Sequence, residues 1–269
     1  RQVRMSAPSA PPVAPSTRSA SSSLQARRGA ALLPSLFTMG NMFCGYACII
    51  YAMRGDFESA APFIGIAIVL DMLDGRIARL TGTATDFGLQ LDSLADAISF
   101  GMAPAILTYA WALHTLGRVG MFAGFLFVSA AVLRLARFNI QSASGGDRRY
   151  FVGMPSPAAA GIPAATVYMF SDGVTDHGAA MLALLIVLVP ALLMISTIRF
   201  RSFKTIDLRM RRPSGVLLLV AAGLMAVATH PRLVLVAMAY TYLASAFIGL
   251  ALTRWRQRGG SASPTVPDA

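Results

Sequence analysis

Five of the chain's 12 acidic residues fall within the 26 positions from 71 to 96: Asp71, Asp74, Asp86, Asp92 and Asp96. Asp71 and Asp74 are three apart, and Asp92 and Asp96 are four apart, so on helices each pair shares a face. Ionised carboxylates gathered at the edge of an apolar layer repel one another and lose hydration, at a cost of several kcal/mol each. Arg76 and Arg79 are the only cations within the stretch, too few to neutralise it. Two divalent cations supply the missing charge. An all-oxygen ligand set suits Mg²⁺ or Mn²⁺ rather than zinc or copper, and a two-ion carboxylate centre serves phosphoryl chemistry.

Small residues accompany the acids. Gly75 and Ala78 follow Asp74, and Gly88 precedes Asp92 by one turn. A helical glycine costs about 1 kcal/mol relative to alanine and usually has a packing or close-approach reason. One reason is tight packing between helices; the other, favoured beside four acids, is a nucleotide lying on bare backbone. Asp86 stands apart from this pattern and is expected to cap the helix carrying Gly88 and Asp92.

The elements that must position these residues are apolar. Of 269 residues, 55% are hydrophobic and 13% charged, and the mean hydropathy is +0.61; a soluble domain carries about a quarter charged residues. Eight apolar stretches cover about 32–53, 60–80, 88–113, 118–137, 155–172, 178–198, 214–229 and 232–252. About 20 helical residues span a bilayer. The expectation is an all-α polytopic membrane protein with about eight transmembrane helices, the seventh short and joined to the eighth through Pro231. Residues 1–30 read as a disordered, basic, Ser/Pro/Ala-rich tail, 31–253 as the transmembrane catalytic domain, and 254–269 as a second polar tail.

Charge placement orients the chain. Arg54, Arg118 and Arg232 mark one set of alternate loops. The opposite set holds Arg76, Arg79, Arg134, Arg137, Arg148, Arg149, the basic cluster from Arg199 to Arg212, and Arg254 to Arg258. By the positive-inside rule both termini and the acidic stretch face the cytoplasm. The net charge of +11 is not arranged as basic runs interleaved with aromatics, so no nucleic-acid partner is expected. Cys44 and Cys48 read as small buried side chains. His114, His177 and His230 fall at loops, which argues against a zinc centre or a histidine base.

The spacing Asp71, then Asp74-Gly75-x2-Ala78-Arg79-x8-Gly88-x3-Asp92-x3-Asp96, resembles the signature of the CDP-alcohol phosphotransferases at every fixed position. These enzymes displace CMP from a CDP-linked lipid or alcohol with an alcohol nucleophile. LPSLFTMGNMFCG (33–45), RLARFN (134–139), FVGMPSPAAAG (151–161) and ISTIRFRSFK (195–204) are similar to segments of the membrane-integral bacterial phosphatidylserine synthases within that family.

The resemblance implies CDP-diacylglycerol and L-serine as substrates, a homodimer, and a place in the inner membrane with the site open to the cytoplasm. It implies that Asp71, Asp74 and Asp92 hold one metal ion, and that Asp71, Asp92 and Asp96 hold a second. Gly75, Arg79 and Thr85 match positions that contact the CDP-lipid, with Ala78 and Gly88 on the same surface. Asp96 is the candidate general base. Arg134 and Arg137, with Asn139, are candidates for the acceptor's carboxylate; Arg199, Arg201 and Lys204 are alternatives, or bind headgroup phosphates. Arg209, Arg211 and Arg212 read as surface anchors. A phosphate-bearing acceptor such as glycerol 3-phosphate is the nearest rival and should want a denser basic pocket. An ion-coupled transporter is the rival of another class, and it does not predict the glycines or Arg79.

Overall fold

The computed structural model describes residues 17–81, 85–143, 151–196, 199–200, 221, 223 and 225–259. Its first two helices, α1 (Thr17–Met53) and α2 (Phe57–Thr81), form a tight hairpin. Gly55 makes the turn at φ 76°, a left-handed conformation that costs glycine nothing. Asp56 then accepts the Ser59 N–H at 3.1 Å and opens α2. Helix α1 starts at Thr17, so it extends into the polar segment expected as a tail.

The acid-bearing chain continues as α3 (Asp86–Asp96), which runs without a break into a π-helical segment, Ala97–Met102, and then α4 (Ala103–Trp111). A short 3-10 turn, Leu113–Leu116, leads to α5 (Arg118–Ala143). α6 (Ser156–Met169), α7 (His177–Ile195) and α8 (Pro231–Gly259) complete the bundle. Among the described residues the regular structure is helical apart from a two-residue antiparallel ladder, β1 (Phe151–Val152) with β2 (Arg199–Phe200). Of the stretch expected over 214–229, only 221, 223 and 225–229 are described, and these are helical. Arg148, Arg149, Arg201, Lys204 and Arg209 to Arg212 lie outside the described residues.

Small side chains let these helices approach closely. Ala52 of α1 and Ala60, Ala61 and Ala67 of α2 are buried in the core, and Ala103, Ala123, Ala130, Ala131, Ala159 and Ala160 continue it across α4, α5 and α6. Large apolar residues point outward instead: Phe122, Phe125 and Leu126 on α5, and Leu182, Leu185 and Leu192 on α7, are exposed. A helix apolar on all sides belongs inside lipid, where small residues at the contacts drive association. Ser35–Met53, Arg118–Gln141 and His177–Ile195 are long and apolar enough to cross a membrane. The acids of α2 and the division of the third stretch into α3, the π segment and α4 interrupt the apolar length elsewhere. These features mark an integral membrane protein.

Polar contacts gather at the two ends of the bundle. At one end Arg232 pairs with Glu58, and its guanidinium lies 5.3 Å from the Tyr168 ring centre. Nearby, Trp111 Nε1 donates to the Phe170 carbonyl at 2.7 Å. The other end holds the acids, the C-terminal half of α5, the start of α6 and the ladder.

Helix α1 touches the π segment at Gly45. A Cβ there would lie 2.5 Å from Ser99 Oγ and 2.8 Å from Ser99 Cα, closer than real contacts allow. Gly45→Ala is therefore expected to push the two apart and cost about 1–3 kcal/mol. Gly65→Ala on α2, where a Cβ meets nothing within 4 Å, should be neutral or stabilising. Thermal unfolding of the detergent-solubilised variants measures the difference.

Candidate active site

Helices α2 and α3 bring the signature acids together because each presents its carboxylates on one face. The turn between them delivers α3 through Thr85, whose backbone is extended at φ −119° and whose Oγ1 accepts the Gly88 N–H at 3.0 Å. Thr85, not Asp86, is thus the cap: Asp86 is already helical and sits in the first turn, where its charge favours the helix dipole.

Asp71, Asp74 and Asp92 each offer a carboxylate oxygen, and these oxygens lie within 4.8 Å of one another. Asp74 is buried, while Asp71 and Asp92 are half-buried. Asp92 Oδ1 is shut off from solvent and has no hydrogen-bond partner among the described residues. Asp96 stands beside this trio rather than in it. It is buried, it interacts electrostatically with Asp71, Asp92 and Asp74, and its Oδ1 accepts from Asn41 Nδ2 at 3.1 Å. Asp74 Oδ2 accepts from Thr38 Oγ1 at 3.0 Å. Both donors belong to α1.

Among the described residues, Arg134 is a cation whose charge interacts with Asp71 and Asp96. It forms no ion pair with them, for the only ion pair among the described residues is Arg232 with Glu58. Its Nη1 instead donates to Ser156 Oγ at 2.7 Å. A neutral hydroxyl does not balance the carboxylates. Three converging acids, one with an orphaned oxygen, and a guanidinium engaged elsewhere make an oxygen-donor set that fits a hard divalent cation. The cluster can hold a metal ion.

The remaining expected residues divide. A Cβ on Gly75 would meet nothing within 4 Å, so no packing among the described residues requires that glycine, and its backbone faces open space. At Gly88 a Cβ would meet Thr85 Oγ1 at 3.2 Å, so the cap accounts for this residue. Ala78 is half-buried, and the Arg79 side chain lies outside the described residues. Arg137 turns from the acids and donates to the Ile195 carbonyl at 3.3 Å. Asn139 Nδ2 donates to Ser93 Oγ at 2.9 Å, tying α5 to α3. Arg134, Ala136, Arg137 and Ile140 line a cavity of about 500 Å³ with Met194 and Ile195 at the α5–α7 contact.

Thr38, Asn41 and Ser156 are the site residues that sequence reasoning passed over. Their signal was there: each is a polar side chain inside a small-residue or apolar segment, and each segment carried a resemblance without a derived role. Gly153 explains another part of FVGMPSPAAAG. At φ 87° its missing Cβ would lie 2.5 Å from the Met194 carbonyl oxygen, so only glycine lets this segment settle on the end of α7.

Residues 31–196 match the family described as CDP-alcohol phosphatidyltransferase. The chain is similar to CDP-diacylglycerol–serine O-phosphatidyltransferase of Helicobacter pylori (strain J99), 41% identical over 180 residues, covering 65% of this chain and 74% of that protein. The Bacillus subtilis protein of the same name is 37% identical over 127 residues, covering 47% of this chain and 70% of its own. Archaetidylserine synthase of Methanothermobacter thermautotrophicus is 36% identical over 170 residues, covering 62% and 69%.

Gly75 separates a ligand role from a packing role. Gly75→Ala is expected to raise stability by about 0.5–1 kcal/mol, since it sits in open helix. It should also weaken binding of a CDP-bearing ligand about tenfold or more. Thermal unfolding and a CDP titration of the same preparation read both effects.

Proposed function

The chain belongs to the CDP-alcohol phosphatidyltransferase family, and from that premise we propose that it transfers the phosphatidyl group of CDP-diacylglycerol to L-serine, releasing CMP. One observation carries the acceptor. The matched relatives differ in the lipid their names specify, but the names share serine. The site's chemistry supports the phosphoryl transfer itself, with three clustered carboxylates and one more beside them.

In this reading the serine hydroxyl oxygen attacks the phosphorus that bears diacylglycerol. A new phosphorus–oxygen bond forms as the bond to the CMP phosphate breaks. Asp96 takes the hydroxyl proton, a role that suits a buried carboxylate beside the trio. Asp71, Asp74 and Asp92 would hold one Mg²⁺ or Mn²⁺, and Asp71, Asp92 and Asp96 a second. When bound, such ions neutralise the diphosphate and the charge gathering on departing CMP.

The chain's other groups bind and orient. Gly75 leaves bare backbone for the diphosphate, and the fork of Arg79 meets its oxygens. Thr85 spends its oxygen lone pair on Gly88, so its hydroxyl proton is still available to a phosphate or ribose oxygen. Ala78 and Gly88 keep that surface low. For the serine carboxylate, the electrostatic reach to Asp71 and Asp96 favours Arg134 over Arg137 and Asn139; its Nη1 donates to Ser156, and its guanidinium has further N–H donors for the carboxylate.

The same reading gives about eight spans, with residues 31–253 as the catalytic domain. Both termini and the site face the cytoplasm of an inner membrane, and the protein works as a homodimer. The arginine distribution supports the orientation; the dimer rests on the family resemblance.

Purified protein incubated with CDP-diacylglycerol, Mn²⁺ and labelled acceptors tests the reaction. Label from serine is expected in lipid, with CMP released in equal amount, and none from glycerol 3-phosphate; the reverse pattern would overturn the acceptor. EDTA should abolish turnover and Mn²⁺ restore it. Asp92→Asn should lower the rate by about two orders of magnitude or more.

A further inference from the structure

Thr38, Asn41 and Gly45 recur at intervals of three and four along α1, which puts them on one face. That face meets the acid-bearing helices at three points. Thr38 Oγ1 donates to Asp74 Oδ2 at 3.0 Å, and Asn41 Nδ2 donates to Asp96 Oδ1 at 3.1 Å. Ser99 Oγ, in the π segment, donates to the Asn41 carbonyl at 2.8 Å, and Gly45 permits that approach.

Charge balance does not explain these contacts, because neither side chain is charged. Packing does not explain them either. Asn41 is fully buried, and its Oδ1 has no partner among the described residues, a costly choice beside a leucine of similar volume. What the two donors accomplish is geometric. Each occupies one oxygen of a carboxylate and so limits the rotation of that group, which sets how it faces a cation.

We propose that Thr38 and Asn41 are positioning residues, which set the divalent-cation affinity of the site by fixing the carboxylates of Asp74 and Asp96. This rests on the reading of the acids as a cation site. Donors that orient ligands from behind typically change metal affinity by about 10- to 100-fold when removed.

The test uses the full chain purified in detergent, with bound Mn²⁺ followed by electron paramagnetic resonance and folding followed by the thermal midpoint in EDTA. Thr38→Val keeps the shape and loses the donor; Thr38→Ser keeps the donor and loses a methyl group. Valine is expected to weaken Mn²⁺ binding about tenfold or more and serine by no more than about twofold. The opposite order would mean that Thr38 matters for packing and would overturn the proposal.

Asn41→Leu should weaken binding to a similar degree, but add nothing further once Asp96→Asn is present, since both changes act through one carboxylate. Equal losses in the two backgrounds would refute the role of Asn41. Should Asn41→Leu fail to fold, the Thr38 pair decides. Tight Mn²⁺ binding by the parent, unchanged in Thr38→Val and Asn41→Leu, would sink the positioning role alone. A parent that binds Mn²⁺ no better than Asp92→Asn would sink the cation reading with it.

Discussion

Like charge inside an apolar bundle is the constraint to which the rest of the molecule answers. Three carboxylates bring oxygens within 4.8 Å of one another, and a fourth stands beside them, where water is scarce and repulsion poorly screened. An arrangement of this kind persists only where something of opposite sign completes it. Arg134 interacts with the acids yet gives its hydrogen bond to Ser156. The chain therefore supplies orientation and leaves most of the compensation to what binds. Small residues elsewhere serve the same end, because the buried alanines of α1, α2, α4, α5 and α6 pack the core that carries the acids.

That frame also explains the division between the two ends of the bundle. The far end closes on itself, with Arg232 pairing to Glu58 and lying over Tyr168, and with Trp111 fastened to the loop after α6. The acid end leaves the backbone of Gly75 open. A rigid base and an open top suit a site that admits both a lipid-borne diphosphate and a small polar alcohol.

Local features of the site were legible in the sequence, and distant ones were not. Spacings of three and four residues place Asp71 with Asp74 and Asp92 with Asp96 on shared faces, and the apolar stretches anticipate α2, α5, α6 and α7 closely but only the C-terminal part of α1, which begins at Thr17. The donors to Asp74 and Asp96 lie 36 and 55 residues away in the chain, and no local pattern pairs them. The cap on α3 shows a subtler limit. Thr85 and Asp86 are both good caps by type, and only the backbone angle where the helix begins distinguishes them. Arg134, Arg137 and Asn139 look alike at one helix end, yet their contacts lead to Ser156, Ile195 and Ser93.

The π segment that begins directly after Asp96 bears on how this protein can change over time. A π turn takes in about one residue more than an α turn, so the faces of α3 and α4 are offset by roughly one residue's rotation, about 100°. A single straight helix would have yoked the ligand-facing side of α3 to the interior side of α4. With the offset between them, substitutions that tune one half need not be matched in the other, and chemistry and membrane architecture can drift on separate schedules within one continuous rod.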